Sequence, residues 1–389
     1  MKNKNYHNVN VVVVGAGVNA LGVMRSIGNS FNSLLVTPKK SIVSHTKYGM
    51  RFYVNSTTER AIVESLVTLG KQLSQRCVLL LTEEVTVAYV SEYRKELSEY
   101  FIIDFPSHEL LIALQSKLDF QHLAEKNGAP IPRAVCWTAQ NNKESLETLD
   151  FPCVFKPLRQ DAAYSKQFKK AYKVASSQEV DTLYEQISPV LPDMITQEWI
   201  EGDDSDIYFN IVYFDKNSYP ISAFTGRKLR SWPRGIGGTA SCVDAPESHI
   251  ELTQHTTAFA KSVGFTGLMG MEYKYDTQRQ SYYMIEPTVG RTDYQHEIAT
   301  LSGTNMLVDI CSYLLNKTTS DLTKEKQLNA HASTMWFDEI ADANSIAHGS
   351  PTFDELKVAR YAAVHRWNDM GPYLFRLKNR VMTRLKNIF

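Results

Sequence analysis

At 389 residues the chain is long enough for roughly two to three domains and a large core, and 43% hydrophobic with 22% charged residues is an ordinary soluble composition. Lys plus Arg equals Asp plus Glu at 42 each, so no global field points to nucleic acid. Five scattered cysteines without CxxC spacing argue against zinc or a disulfide framework, no run approaches ~18 apolar residues, and no secretory signal is recognisable, so the protein is expected in the cytoplasm.

Residues 1 to about 105 alternate apolar runs with helical patterns. Val11–Val14, Leu34–Val36, Val78–Leu81 and Phe101–Ile103 read as strands, and 18–28, 58–75 and 84–99 as helices, which predicts a parallel α/β sheet. One helix is expected from about Ser107 to Lys126, stopped by Asn127-Gly128 and Pro130. Between about 130 and 290 strands dominate, suggesting an α+β unit; helical spacing returns near 304–316, and 330–389 is mixed.

The turn Gly15-Ala16-Gly17-Val18-Asn19-Ala20-Leu21-Gly22 follows a strand and opens a helix, where backbone N–H groups can hold an anion. The acidic residue that a dinucleotide site carries about 20 positions on is replaced by Val36-Thr37-Pro38-Lys39-Lys40. That leaves two readings: NADP with Lys39 or Lys40 on its extra phosphate, or a plain strand-to-helix turn.

Lys156 ends the apolar strand Phe151–Pro157, where an ammonium needs a partner such as phosphate, or a path to water. In Met194–Asp204 an apolar strand, Trp199, a Gly202 turn and Asp204 follow one another; exposed backbone there can read an adenine edge and the acid can accept from ribose. The cluster Arg227, Lys228, Arg230 and Arg234 before Gly235-Ile236-Gly237-Gly238 suits polyphosphate, with a charged surface hairpin as the competing reading of Arg230 and Arg234.

Glu272 and Glu286 lie in two runs, Gly267–Tyr275 and Tyr282–Pro287, that read as one hairpin. With the turn centred near Arg279, the two carboxylates oppose each other on one face. At ~4 Å and an effective dielectric of about 20 the repulsion is on the order of 4 kcal/mol, which a bound Mg²⁺ would convert to attraction. In a shifted register they would stand apart in water. From Tyr373 to Phe389 five basic residues (Arg376, Lys378, Arg380, Arg384, Lys386) and no acid flank Leu374, Leu377, Val381, Leu385 and Ile388 at helical spacing. Such a helix lies on an anionic membrane or docks on its own domain, and docking is the commoner case.

The ordered set of a Rossmann-like start, Lys117 on a helix, Lys156 on a strand, the Gln197–Asp204 hinge, Lys228 and the Glu272/Glu286 hairpin resembles the ATP-grasp superfamily, in its carboxylate–amine ligase branch. The resemblance covers about residues 10 to 315. It implies a Rossmann-like domain at 1–105, a two-subdomain ATP-grasp domain at 106–325 with a lid at about 158–193, and a C-terminal mixed segment at 326–389, so α/β followed by α+β architecture. It also implies that Lys117 and Lys156 hold ATP phosphates and that Glu198 and Ile200 read adenine beside Trp199. Asp204 takes the ribose, Lys228 reaches the terminal phosphates, and Glu272, Glu286 and Thr288 ligate one or two Mg²⁺, with Mn²⁺ as an alternative. Arg291 would face the acyl phosphate or oxyanion; an ion pair with Asp293 or Glu297 is the competing account.

Two departures stand out. Glu286-Pro287-Thr288 replaces the family's Glu-x-Asn, and Arg159-Gln160-Asp161-Ala162-Ala163-Tyr164, followed by Lys166, Lys169 and Lys170, replaces its glycine-rich flap. The implied activity joins a small carboxylate to an amine with ATP, the carboxylate being an amino acid, a peptide or a sugar acid of a cell-surface polysaccharide. The alternatives are an NAD(P)-dependent oxidoreductase, a nucleotide-binding scaffold without catalysis, and a kinase or carboxylase on the same fold. Oligomeric state is not readable.

Overall fold

The computed structural model describes residues 6–137, 146–158, 161–235, 237–316 and 331–386. Its first sheet is parallel: β1 (Val11–Val14), β2 (Ser33–Pro38), β3 (Met50–Val54), β4 (Cys77–Leu81) and β5 (Phe101–Ile102), in the order β3-β2-β1-β4-β5. β1 and β4 are buried along their whole length, as central strands covered on both faces must be, and their unbroken apolar runs follow from that. β3 was not expected. It is a half-buried edge strand, so Met-Arg-Phe-Tyr-Val carries no continuous apolar signal.

The single helix expected from Ser107 to Lys126 is two, His108–Gln115 and Lys117–Lys126. Ser116 breaks it by adopting extended dihedrals and accepting from the Asp119 N–H at 3.3 Å as an N-cap. Lys117 therefore opens a helix rather than riding mid-helix.

The second sheet is small and antiparallel: β6 (Ala134–Trp137), β7 (Cys153–Pro157), β8 (Tyr172–Val174) and β9 (Met194–Glu198), ordered β6-β9-β7-β8. It has its own core, in which Trp137, Phe155 and Tyr164 pack with Val180 and Ile187 of the helix Ser177–Ile187. Arg159 and Gln160 of the expected lid lie outside the described residues.

The third sheet contains β10 (Ile207–Phe214), β11 (Pro220–Trp232), β12 (Gly238–Asp244), β13 (Gly267–Asp276), β14 (Ser281–Val289), β15 (Thr334–Phe337) and β16 (Ala359–Ala362). Their order is β14-β13-β10-β11-β12-β15-β16, antiparallel except for β15 against β16. The segment after 326 thus adds two strands to this sheet. One core cluster runs from Val12 and Leu79 of the first sheet through Phe120 to Val212, Met271 and Met284 of the third, so these two layers share an interior. Among the described residues no helix is long and apolar enough to cross a membrane.

Arg230 corrects a sequence expectation. It is neither a surface residue nor a phosphate ligand: it is buried, bonds Asp342 at 2.6 Å and donates to the Pro351 and Thr352 carbonyls, fixing β11 to the helix Glu339–Ala347. Breaking a buried pair leaves an uncompensated charge. Arg230→Ala is therefore expected to lower unfolding stability by about 3–5 kcal/mol in urea titration while sparing nucleotide binding in the remaining folded protein.

Candidate active site

The β13–β14 hairpin sets Glu272 opposite Glu286. The route differs from a turn centred on Arg279. The Asp276 carboxylate accepts from the Gln278 and Arg279 N–H groups at 2.9 and 3.0 Å, and the tight turn pairs Asp276 with Ser281. Continued unbroken, that register would oppose Glu272 to Ile285. A bulge between Tyr273 and Glu272 consumes Ile285 and brings Glu286 across. Buried Met271, Tyr273 and Met284 hold the other face of the ladder to the core, so the carboxylates cannot turn away together. Thr288 follows Glu286 on the same face, opposite Gly270, where a Cβ would come within 3.6 Å of the Thr288 Cβ and 3.9 Å of Asp293 Oδ2.

Cations converge on the pair from three elements. Lys228 of β11 is buried and donates to Glu272 Oε2 at 2.6 Å. Burial opposes its charge, but Glu272, Asp293 and Glu286 outweigh that and raise its pKa. The Glu272 carboxyl is also pushed up, first by burial and then by Glu286 and Asp293 against the pull of Lys228. Lys156 of β7 is pulled down to about 8 by burial and by Lys117, while Glu286 and Glu272 act in the opposite sense. Lys117 is lowered by burial and by Lys170, with Glu286 and Glu84 opposing. The three lysines and two glutamates read from the sequence therefore form one electrostatic unit.

Two side chains of this unit were missed. Gln197 accepts from the Lys156 ammonium at 3.1 Å and donates to Gln121 Oε1 at 3.0 Å, and Gln121 continues to Glu125 and the Pro132 carbonyl. Asp293, seven residues past Glu286, acts on both Lys228 and Glu272. An acid after the second strand was visible, but the sequence tied it to Arg291. Arg291 instead lies 3.7 Å from Glu84 and donates to the Thr292 carbonyl, while Glu297 is engaged by Trp336 and Arg366.

At the end of β9 the Glu198 side chain is buried against Arg133 at 2.5 Å and its N–H donates to the Arg133 carbonyl at 2.9 Å, so of its backbone polar groups the N–H is already taken. Trp199 lies under two ammonium groups, Lys173 of β8 at 4.4 Å and Lys274 of β13 at 5.7 Å, so it bridges the small and large sheets. Ile200 is buried. Asp204 Oδ2 accepts from the Ser231 and Gly235 N–H groups at 3.0 and 3.4 Å and so pins the glycine turn that follows β11.

The glycine turn at Gly15 does not resemble an anion cradle. The Glu83 carboxylate accepts from the Ala16 N–H at 3.1 Å, putting negative charge where a pyrophosphate would need donors. A Cβ on Gly15 would lie 1.9 Å from Thr82 Oγ1, so this glycine serves close packing.

No family model matches the chain. A D-aspartate ligase from Enterococcus faecium (strain Aus0004) is 23% identical over 314 residues, which is 76% of this chain and 74% of that protein. Among solved structures, a biotin carboxylase from Campylobacter jejuni superposes with a TM-score of 0.59 at 13% identity, covering 79% of this chain and 71% of that one. An L-amino acid ligase from Bacillus licheniformis gives 0.57 at 11% identity, over 79% and 74%. An ADP complex of N5-carboxyaminoimidazole ribonucleotide synthetase gives 0.55 at 14%, over 75% and 73%. At these identities the solved structures show the fold alone, and the chain has an ATP-grasp fold.

An ATP-grasp site needs donors for Mg²⁺ and for phosphate, and the residues present fit both. Glu272, Glu286 and Thr288 offer hard oxygens on one face of the hairpin. Among the described residues no three or more His, Cys, Asp or Glu are arranged to hold a metal alone. Mg²⁺ is usually bound through one or two carboxylates and completed by phosphate oxygens and water.

Two outcomes follow. Glu286→Gln is expected to leave the apo melting temperature unchanged or higher, since a like-charge pair is relieved, and to abolish the extra stabilisation Mg²⁺ adds to ADP in a thermal-shift series. ADP affinity is expected to weaken as pH rises from 7.5 to 10, because the Lys156 ammonium loses its proton through about 8 in the free protein. Calorimetry near pH 8.5 should record proton uptake on binding, and Lys156→Met should flatten both effects.

Proposed function

We propose that this protein is an ATP-dependent ligase that activates a small carboxylate as its acyl phosphate and joins it to an amine. The observation carrying this reading is the facing Glu272/Glu286 pair with Lys117, Lys156 and Lys228 around it. A carboxylate oxygen of the substrate attacks the terminal phosphorus of ATP and ADP leaves. The amine nitrogen then attacks the acyl carbon, and the tetrahedral intermediate expels phosphate as nitrogen loses its proton. Bound Mg²⁺ supplies neutralisation of the phosphate oxygens. Lys117 and Lys156 hold the phosphate tail; Lys228 fixes Glu272 and offsets charge developing on the transferred group. Glu198 and Ile200 present backbone to adenine beside Trp199, and Asp204 lies on the ribose side.

Within the carboxylates considered, an amino acid is favoured over a peptide or a polysaccharide sugar acid. D-aspartate ligase matches three-quarters of the chain, and an amino acid ligase shares its fold. ADP release over a matrix of carboxylates and amines, with mass detection of product, tests the reading. An amide mass with amino acids supports it; nucleotide binding without turnover for any pair would leave a scaffold, and stabilisation by NADH but not Mg·ADP would return the oxidoreductase.

We assign Arg291 to the acyl phosphate or the oxyanion; in the free protein its ion-pair partner is the exposed Glu84 at 3.7 Å. Arg291→Ala is expected to lower kcat by ~10²–10³, while Glu84→Ala changes it only a few-fold. Equal losses for both, tracking a fall in melting temperature, would make the pair structural.

A further inference from the structure

The helix Gly371–Lys386 is attached on one side only. Phe375 stacks on His45 at 4.0 Å between ring centroids, and Arg376 bonds Asp338 and Glu339 at 3.3 and 3.2 Å. Pro372 is buried, but beyond Arg376 every described side chain from Leu377 to Thr383 is exposed. Leu374, Leu377 and Val381, at spacings of three and four, form a stripe on the side away from Phe375 and Arg376 and are 56, 46 and 50% exposed, while Met382, one heptad past Phe375, is 48% exposed. Lys378 and Arg380 are exposed on either side of this stripe, and no acid lies between Tyr373 and Phe389. Trp367, 84% exposed, joins the same end of the helix through His365, whose ring meets both Trp367 at 5.0 Å and Tyr373 at 4.7 Å.

An apolar stripe this exposed is costly in water unless something covers it. Leucine and valine bordered by lysine and arginine, with an unburied tryptophan alongside, match the layering of a lipid interface: acyl chains below, anionic headgroups beside, an aromatic at the boundary. Charge selects the occupant. Arg376 is satisfied by its two acids, whereas the helix offers Lys378 and Arg380 no acid, since every charged side chain from Tyr373 to Phe389 is basic. We propose that this helix docks the protein peripherally on an anionic membrane surface through Leu374, Leu377 and Val381, with Lys378 and Arg380 on the headgroups and Trp367 at the edge. The inference does not rest on the ligase reading.

The test is flotation of the full chain with vesicles of phosphatidylcholine alone and with about 30% phosphatidylglycerol, enough anionic lipid for a surface potential in the physiological range. Binding to the anionic vesicles, weakening as salt is raised, is expected, with little to neutral ones. Leu377→Asp with Val381→Asp should remove binding at least tenfold, and Lys378→Gln with Arg380→Gln should reduce it on the order of tenfold. Both double variants should keep the parent melting temperature and ADP affinity, because neither pair touches the nucleotide site. Absence of binding to anionic vesicles overturns the proposal. So does equal binding by the Asp variant, or a concentration-dependent dimer in sedimentation that the Asp variant dissolves while vesicles bind neither protein.

Discussion

The site is organised by a repulsion the fold refuses to relax. Glu272 and Glu286 face each other because Ile285 bulges from the ladder and because Met271, Tyr273 and Met284 hold the opposite face in the core. Sliding the hairpin by one residue would separate the charges but expose that apolar face, at a cost well beyond one ion repulsion. Lys228 moderates the conflict by clamping Glu272 from a strand two positions away in the sheet. Its ammonium tolerates burial only because of that partner, so neither group can be removed without stranding the other.

The other cations come from separate layers. Lys117 opens a helix packed with the shared core, Lys156 ends a strand of the small sheet, and the glutamates belong to the large one. Lys117 and Lys156 repel each other, which helps to pull Lys156 down to about 8. A polyanion between them would turn this repulsion into attraction and draw the small sheet toward the large. Trp199, under one lysine from each sheet, sits at the joint across which that movement would run.

Much of this was legible in the sequence where the signal is local. Four strands of the first sheet are continuous apolar runs, and the hairpin shows two β-rich runs around a polar turn. The opposition of the glutamates was foreseen through a symmetric turn, whereas the molecule uses an offset turn and a bulge, which have no signature in residue type at Ile285. β3 escaped because an edge strand alternates weakly, and the Ser116 break because serine is tolerated inside helical patterns until it caps. Arg230 was misjudged since its partners, Asp342 and the 351–352 carbonyls, lie more than a hundred residues away. Gln197 and Asp293 matter for the same reason: their neighbours are set by topology.

The partners of the two buried-side lysines differ in kind, and the difference assigns their work. Lys228 meets a carboxylate, so its charge is already matched and its first task is to hold Glu272 in place. Lys156 meets the neutral oxygen of Gln197, itself oriented by Gln121. An acid at position 197 would raise the Lys156 pKa and neutralise its field before any ligand arrived. An amide orients the ammonium and leaves its charge unmatched, which in a half-buried position favours an incoming anion over water. A lysine whose pKa is lowered to about 8 by burial, steered by an amide and acted on by two carboxylates, is therefore set for a phosphate chain, whose arrival favours its charged form.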